Sequence, residues 1–315
     1  MPSKKILVIV GPTASGKTRM AVELAKAHNG EVVSADSMQI YRRMDIGTAK
    51  PTAEEMDGVP HHMIDVADPE EDFSVARYVE MASACVDDIL DRGKLPIVAG
   101  GTGLYVDSLL SGRTFAAFSP DSSLRKELEA ELAERGGEAM LSELSRVDPE
   151  AAARLHPNDH KRIVRALEVY RSTGKTISEH NRETQALPPR YEALTIGLNF
   201  QDRADLWARI DARVDQMAAA GLEREVRELL SSGLSPRCTA MQAIGYKEFV
   251  AAVEGTMTWR EAEELVKLRS RQYAKRQLTW FRRNPEVHWL LWEKNPNFGN
   301  ARQRSTELLE EFGLG

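Results

Sequence analysis

Ile6-Leu7-Val8-Ile9-Val10-Gly11-Pro12-Thr13-Ala14-Ser15-Gly16-Lys17-Thr18 decides how the chain is read. The apolar run Ile6 to Val10 suits a strand buried on both faces, as in a parallel sheet. The residues after it satisfy G-x-x-x-x-G-K-[ST], and a helical pattern follows from Lys17 to about His28. Strand, glycine-rich turn and helix in that order are the context the motif requires. Gly11, Pro12, Thr13, Ala14, Ser15 and Gly16 form a loop whose N–H groups approach phosphate oxygens, and the helix start adds the positive end of its dipole. Lys17 neutralises terminal phosphate charge, and Thr18 is placed to ligate Mg²⁺. Such a loop binds a di- or triphosphate without naming a reaction.

Outward from this motif, strand and helix alternate. Glu31–Ala35 reads as a second strand, Ser74–Arg92 as a helix and Leu95–Ala99 as a third strand. The alternation predicts an α/β fold, a P-loop NTPase-like parallel sheet flanked by helices. From Phe118 to Gln185 only helical spacing is found, with stripes at Leu124, Leu128 and Leu132 and at Ile163, Leu167 and Tyr170. Strand character returns at Leu194–Leu198 and again at Val287–Trp292. The expected organisation is a discontinuous core, 1–115 plus 196–315, interrupted by an all-helical insertion domain at 116–195.

In an open parallel sheet, ligands gather beyond the carboxyl ends of the strands. Asp36 follows the second strand and Thr102 the third, so three strand ends converge on one pocket. Asp36 suits a general base or a magnesium ligand, and equally a turn aspartate. The third strand runs into Gly100-Gly101-Thr102-Gly103 where a nucleotide hydrolase would carry a Walker-B aspartate. Hydrolysis is disfavoured, and a P-loop kinase of a small metabolite stands as an alternative. Arg209 and Arg213, one turn apart on a helix, suit a diphosphate clamp or surface salt bridges. His61-His62-x-x-Asp65 has no further ligand pattern and reads as loop packing rather than a metal site.

The 315 residues include 42 Lys and Arg against 48 Asp and Glu, a net charge of −6. On its own that balance argues against a nucleic-acid partner. It conceals a local element. Lys267, Arg269, Arg271, Lys275, Arg276, Arg282 and Arg283 occur with no acid among them, interleaved with Tyr273 and Trp280, and the rest of the chain carries −13. Basic residues mixed with aromatics suit RNA phosphates and bases. A smaller cluster, Lys161, Arg162 and Arg165, studs a helix of the insertion. Cys85 and Cys238 lack metal or disulfide spacing, which fits a reducing compartment, and no run is long enough to span a membrane. A cytoplasmic protein is expected.

Six segments resemble the tRNA dimethylallyltransferase, or tRNA isopentenyltransferase, family: GPTASGKT at 11–18, DSMQIYRRMDIGTAKP at 36–51, VPHHMID at 59–65, GGTGLY at 100–105, NDHKRIVRALEVY at 158–170 and RQYAKRQLTWFR at 271–282. The resemblance implies transfer of a dimethylallyl group from dimethylallyl diphosphate to the exocyclic N6 amine of the adenosine 3′-adjacent to the anticodon, position 37 of tRNA. It implies Mg²⁺ as cofactor, with the P-loop holding the diphosphate of the prenyl donor. Asp36 matches the family's general base, Thr102 a hydroxyl positioning amine or diphosphate, and Arg213 a diphosphate-contacting arginine. It places tRNA contacts at Asp36, Ser37, Met38 and Gln39, at Thr102 and Arg125, and at Lys161, Arg162, Ile163, Val164 and Arg165. Further contacts fall on Gln242, Ala243, Ile244, Gly245, Tyr246 and Lys247, and on Lys275, Arg276, Gln277, Leu278, Thr279, Trp280, Phe281 and Arg282. The absence of C-terminal zinc-finger cysteines resembles the bacterial type, and a monomer is expected. A nucleotide-binding RNA-interaction protein without prenyl chemistry would leave Asp36 and Thr102 unused.

Overall fold

β1 (Lys5–Val10) forms the middle of a six-stranded sheet, and its residues from Ile6 to Val10 are all inaccessible to solvent. The structure, a computed structural model, describes residues 4–112, 122–185 and 188–314. In chain order the elements are β1, α1 (Lys17–Ala27), β2 (Gly30–Ser34), α2 (Ala53–Met56), β3 (His61–His62), α3 (Val75–Asp91), β4 (Leu95–Gly100) and α4 (Gly103–Leu110). α5 (Ser122–Val147), α6 (Pro149–Ala152), α7 (His160–Thr173) and α8 (Ile177–Gln185) come next. The chain then returns through β5 (Glu192–Phe200), α9 (Arg203–Ala220), α10 (Leu222–Ser231), α11 (Tyr246–Val253), α12 (Trp259–Phe281), β6 (His288–Trp292) and α13 (Phe298–Phe312).

All strand pairs are parallel, in the order β3-β2-β4-β1-β5-β6. This is the α/β sheet that the alternating pattern predicts. β3 went unread because two residues carry no periodicity; it pairs with Val32 and Val33 at the sheet edge. The histidines of the His-His pair therefore sit in a strand rather than a loop. His62 bonds the buried Glu31 carboxylate at 2.8 Å, beside Arg92 and Lys94. His61 contacts the Val59 carbonyl, and burial holds its pKa below the usual imidazole value.

The chain divides into two compact units, residues 1–110 with 190–315, and residues 111–189. β5 begins at Glu192, inside the stretch that the sequence pattern assigns to the insertion. The smaller unit packs α5 and α7 around Leu128, Met140, Leu144, Ile163 and Leu167. α7 ends at Gly174, whose φ of 72° is the left-handed geometry of a helix stop. The larger unit holds the sheet. Several of its helices start at side-chain caps: Ser74 accepts from Arg77 N, Asp202 from Ala204 N, and Thr258 forms a capping box with Glu261.

At Gly100, where β4 passes β2, a Cβ would lie 2.2 Å from the Ala35 carbonyl oxygen. No side chain fits there without parting two strands. Gly100→Ala should therefore lower stability by about 2 kcal/mol or more, the cost of overpacking a rigid core, as read from urea denaturation midpoints.

Candidate active site

β1 ends in the loop Gly11–Gly16, which turns into α1 through Gly16 at φ 89°. The loop is braced from several directions. Trp292 Nε1 donates to the Ser15 carbonyl at 2.8 Å, and the Phe298 ring lies so close that a Cβ on Gly16 would meet it at 2.8 Å. Thr13 N donates to the Gln277 side-chain oxygen at 2.9 Å, and the Gln277 amide donates to the Gly101 carbonyl at 3.0 Å. One buried side chain of α12 thus ties the loop after β1 to the loop after β4.

The ends of β2 and β4 are laced together in the same way. Thr102 N donates to Ala35 O at 3.1 Å, and Thr102 Oγ1 accepts from Ser37 N at 3.0 Å. Asp36 Oδ1 accepts from Met38 N at 2.8 Å, a local turn that fixes the carboxylate. Gln39 donates to the carbonyls of Thr48 and Ala49 at 3.4 and 3.2 Å, and Arg213 Nη2 donates to Ala49 O at 3.4 Å.

These contacts enclose a polar cavity of about 410 Å³ lined by Thr13 to Arg19, Asp36, Gln39, Gly101, Arg209, Arg213, Tyr273 and Gln277. A second cavity of about 360 Å³ shares Thr13, Asp36, Thr48, Arg213 and Tyr273 with it, and adds Met38, Val214, Met217, Ala243 and Ile244 as apolar wall. Asp36 and Arg213 stand where the polar chamber meets the more apolar one. Lys17 Nζ donates to Pro12 O at 2.7 Å. Its pKa is pushed down to about 7 by burial and by the Arg213 charge, against a partial pull upward from Asp36. Burial likewise lowers Arg213, again offset by Asp36. Lys17, Arg209 and Arg213 face Asp36 and Glu55 across the cavity, an excess of positive charge that an incoming polyanion relieves.

Tyr273 is a site residue whose role the sequence did not show. Its hydroxyl interacts with Thr102 and Gln277, and burial together with the Asp36 charge pushes it up to about 12. The available signal was its spacing of four from Gln277, which puts both on one face of α12.

The basic stretch divides in a way the count of charges did not reveal. Arg271 Nη1 donates to both carboxylate oxygens of Asp211 at 2.6 and 2.7 Å, and Lys267 pairs with Asp215, Glu263 and Glu264. These two cations are neutralised by α9 and by the first turns of α12. Lys275, Arg276, Arg282 and Arg283 are exposed. Trp280 Nε1 donates to Asp107 at 2.8 Å, and its ring packs on Gly103. Not every member of the expected RNA-contact segments reaches solvent. Ile163, Val164, Gly245, Tyr246, Gln277 and Phe281 are buried and pack or brace the interior instead of facing solvent. Gln242, Lys247 and Thr279 are exposed, with Leu278, Ala243 and Ile244 half-buried.

In the smaller unit, Lys161 and Arg162 are exposed at the start of α7. Arg125 and Arg165 reach the fully buried Glu168 at 3.5 and 2.9 Å. These four and Arg154 line a cleft of about 460 Å³ with an apolar floor of Ala151, Leu155 and Ile177.

Among the described residues, no cluster of three or more His, Cys, Asp or Glu could hold a metal. Among them, too, no helix is long and apolar enough to cross a membrane.

Residues 39–284 match the IPP transferase family. The tRNA dimethylallyltransferase of Acetivibrio thermocellus is 50% identical over 285 residues, 90% of this chain and 91% of the relative. That of Caldanaerobacter subterraneus is 48% identical over 307 residues, 97% of each. The full-length tRNA isopentenylpyrophosphate transferase from Bacillus halodurans superposes with a TM-score of 0.73 at 44% identity, covering 98% of this chain and 97% of that one. A eukaryotic dimethylallyltransferase acting on tRNA gives a TM-score of 0.84 at 32% identity, covering 98% of this chain and 79% of that one.

Below about pH 7 both folded and unfolded chains carry the Lys17 proton; from there to the ordinary lysine value of 10.5 only the unfolded chain does. Over that window this group makes the ligand-free protein more stable as pH rises. The difference in urea midpoint between wild type and Lys17→Met should therefore shift in favour of wild type from pH 7 to pH 9 (about two pH units, where the linkage acts). A constant difference would contradict a lowered Lys17 pKa.

Proposed function

Because the chain belongs to the IPP transferase family, the tRNA dimethylallyltransferases, we propose that it moves a dimethylallyl group from dimethylallyl diphosphate to N6 of adenosine 37 in tRNA. The observation that carries this reading is the meeting of the two cavities at Asp36 and Arg213. A diphosphate fits the polar chamber, and a prenyl chain or a base fits the more apolar one. None of the four similar proteins is a kinase, and the kinase alternative has no support.

In this reading the diphosphate lies on the amides of Gly11–Gly16 at the start of α1, with Lys17, Arg209 and Arg213 around it. The allylic C–O bond breaks as the adenine amine bonds to that carbon. The diphosphate leaves with the bonding pair, and its growing charge is met by Lys17, Arg213 and the loop amides. The amine loses a proton to Asp36, which its turn to Met38 N holds at the junction of the chambers. Thr102, fixed by Ser37 and Ala35, aligns the amine or the diphosphate.

The residues fit a magnesium ion. The Thr18 hydroxyl lines the cavity as an oxygen donor, and Mg²⁺ takes one or two protein oxygens with the rest from phosphate and water. When bound, Mg²⁺ would supply further charge neutralisation on the diphosphate.

An adenine inside an anticodon loop cannot reach the junction without leaving its stack, which costs a few kcal/mol, less in a loop than in a duplex. Phosphate contacts from Lys275, Arg276 and Arg282 on α12, and from Lys161 and Arg162 on α7, offset that cost. Arg125, Arg165 and Arg154 extend the basic surface of α7. Asp36 to Gln39, Thr102, Gln242, Ala243, Ile244 and Lys247 would meet the loop nucleotides.

Unmodified tRNA incubated with labelled dimethylallyl diphosphate and Mg²⁺ should take up label on adenosine 37; an unlabelled RNA product overturns the reading. Asp36→Ala should lower kcat by about a hundredfold or more while tRNA binding is largely kept, as expected for loss of a proton acceptor. The affinity for tRNA should fall with salt, with a log–log slope of about −0.7 to −0.9 per phosphate contact. Arg276→Ala or Arg282→Ala should reduce that slope by about one contact, and Arg271→Ala, already neutralised by Asp211, should leave it unchanged.

A further inference from the structure

Gln39 and Arg213 both depend on a loop beneath them. That loop, residues 44–51, has no regular structure of its own, yet its Thr48 and Ala49 carbonyls receive the Gln39 amide, and Ala49 also receives Arg213. Glu225, on α10, lies under it. The Glu225 side chain is buried, and its two oxygens accept from the backbone N–H groups of Asp45, Ile46 and Gly47 at 2.9, 2.8 and 3.2 Å. A fourth donor, the Tyr246 hydroxyl of α11, closes the set. The Tyr246 ring is fully buried against Gly47, where a Cβ would approach it to 2.5 Å. Few side chains suit this place. A carboxylate accepts at both oxygens and donates nothing, which matches three successive N–H groups and a phenol.

We propose that Glu225 is a positioning residue for the transfer reaction: it anchors the 45–47 turn, and through the Thr48 and Ala49 carbonyls it sets the places of Gln39 and Arg213 at the cavity. It touches no substrate. Its effect passes through two backbone carbonyls to a guanidinium that meets the departing diphosphate, so the proposal rests on the prenyl-transfer function. Gln cannot replace it without loss, because the amide NH₂ would face backbone N–H groups and leave at least one of them unpaired.

The test compares Glu225→Gln and Tyr246→Phe with wild type, at a temperature where circular dichroism shows each to be folded. The kcat/KM for dimethylallyl diphosphate should fall by about tenfold or more in Glu225→Gln and by about threefold in Tyr246→Phe, which withdraws one donor of four. The tRNA dissociation constant should stay within about twofold of wild type. Donor kcat/KM equal to wild type per folded molecule overturns the proposal. So does a parallel loss of tRNA affinity, which would mark general damage. If Glu225→Gln does not fold, Tyr246→Phe alone carries the comparison. A wild-type protein that transfers no prenyl group would overturn the function, and the affinity for inorganic diphosphate then tests the positioning role separately. Glu225→Gln should weaken that affinity, and an unchanged value overturns the role.

Discussion

Parallel pairing of β1 between β4 and β5, with β2 beyond β4, sets the carboxyl ends of these strands side by side: Val10 faces Gly100, and Ser34 faces Ala99. Each chain leaves the sheet at the same edge, so Gly11, Asp36 and Thr102 arrive together although they are far apart in sequence. The close passage at Gly100 and the apolar packing of β1 leave the sheet no freedom to shift these exits. Short hydrogen bonds then finish the placement, Gln277 between two loops and Thr102 between two strands.

Much of this was legible because the chemistry has a local signature. The run from Ile6 to Thr18 spells out strand, loop and helix, and Asp36 and Thr102 are marked by their position just past the end of a strand. What could not be read was contact between segments distant in sequence. Nothing near Glu225 indicates that it receives the amides of residues 45–47, since helix periodicity gives only a partly buried face. The neutralisation of Lys267 and Arg271 was equally hidden, because their partners Asp215 and Asp211 lie on another helix, 52 and 60 residues earlier. β3 escaped for a different reason, being too short to alternate.

The buried members of the segments expected to contact RNA show how one helix presents two surfaces. On α12, Ala274, Gln277 and Phe281 face inward, while Lys275, Arg276 and Arg282 face outward. A segment can match a family throughout when its outward face is free for a ligand and its inward face packs the protein. In this chain Gln277 belongs to the inward face. It is nonetheless one hydrogen bond from the loop that opens α1.

The pairing of Lys267 and Arg271 with acids leaves the basic stretch electrically lopsided, with most of its unpaired charge, Lys275, Arg276, Arg282 and Arg283, in the last turns of α12 and just beyond it. A uniformly charged rod attracts a polyanion without regard to direction. A rod charged at one end also exerts a torque, turning the polyanion while the two are still separated by about a Debye length, roughly 8 Å at physiological salt. The acids of α9 thus act as a shield that gives the field of α12 a sense of direction, one that would turn an approaching polyanion before contact.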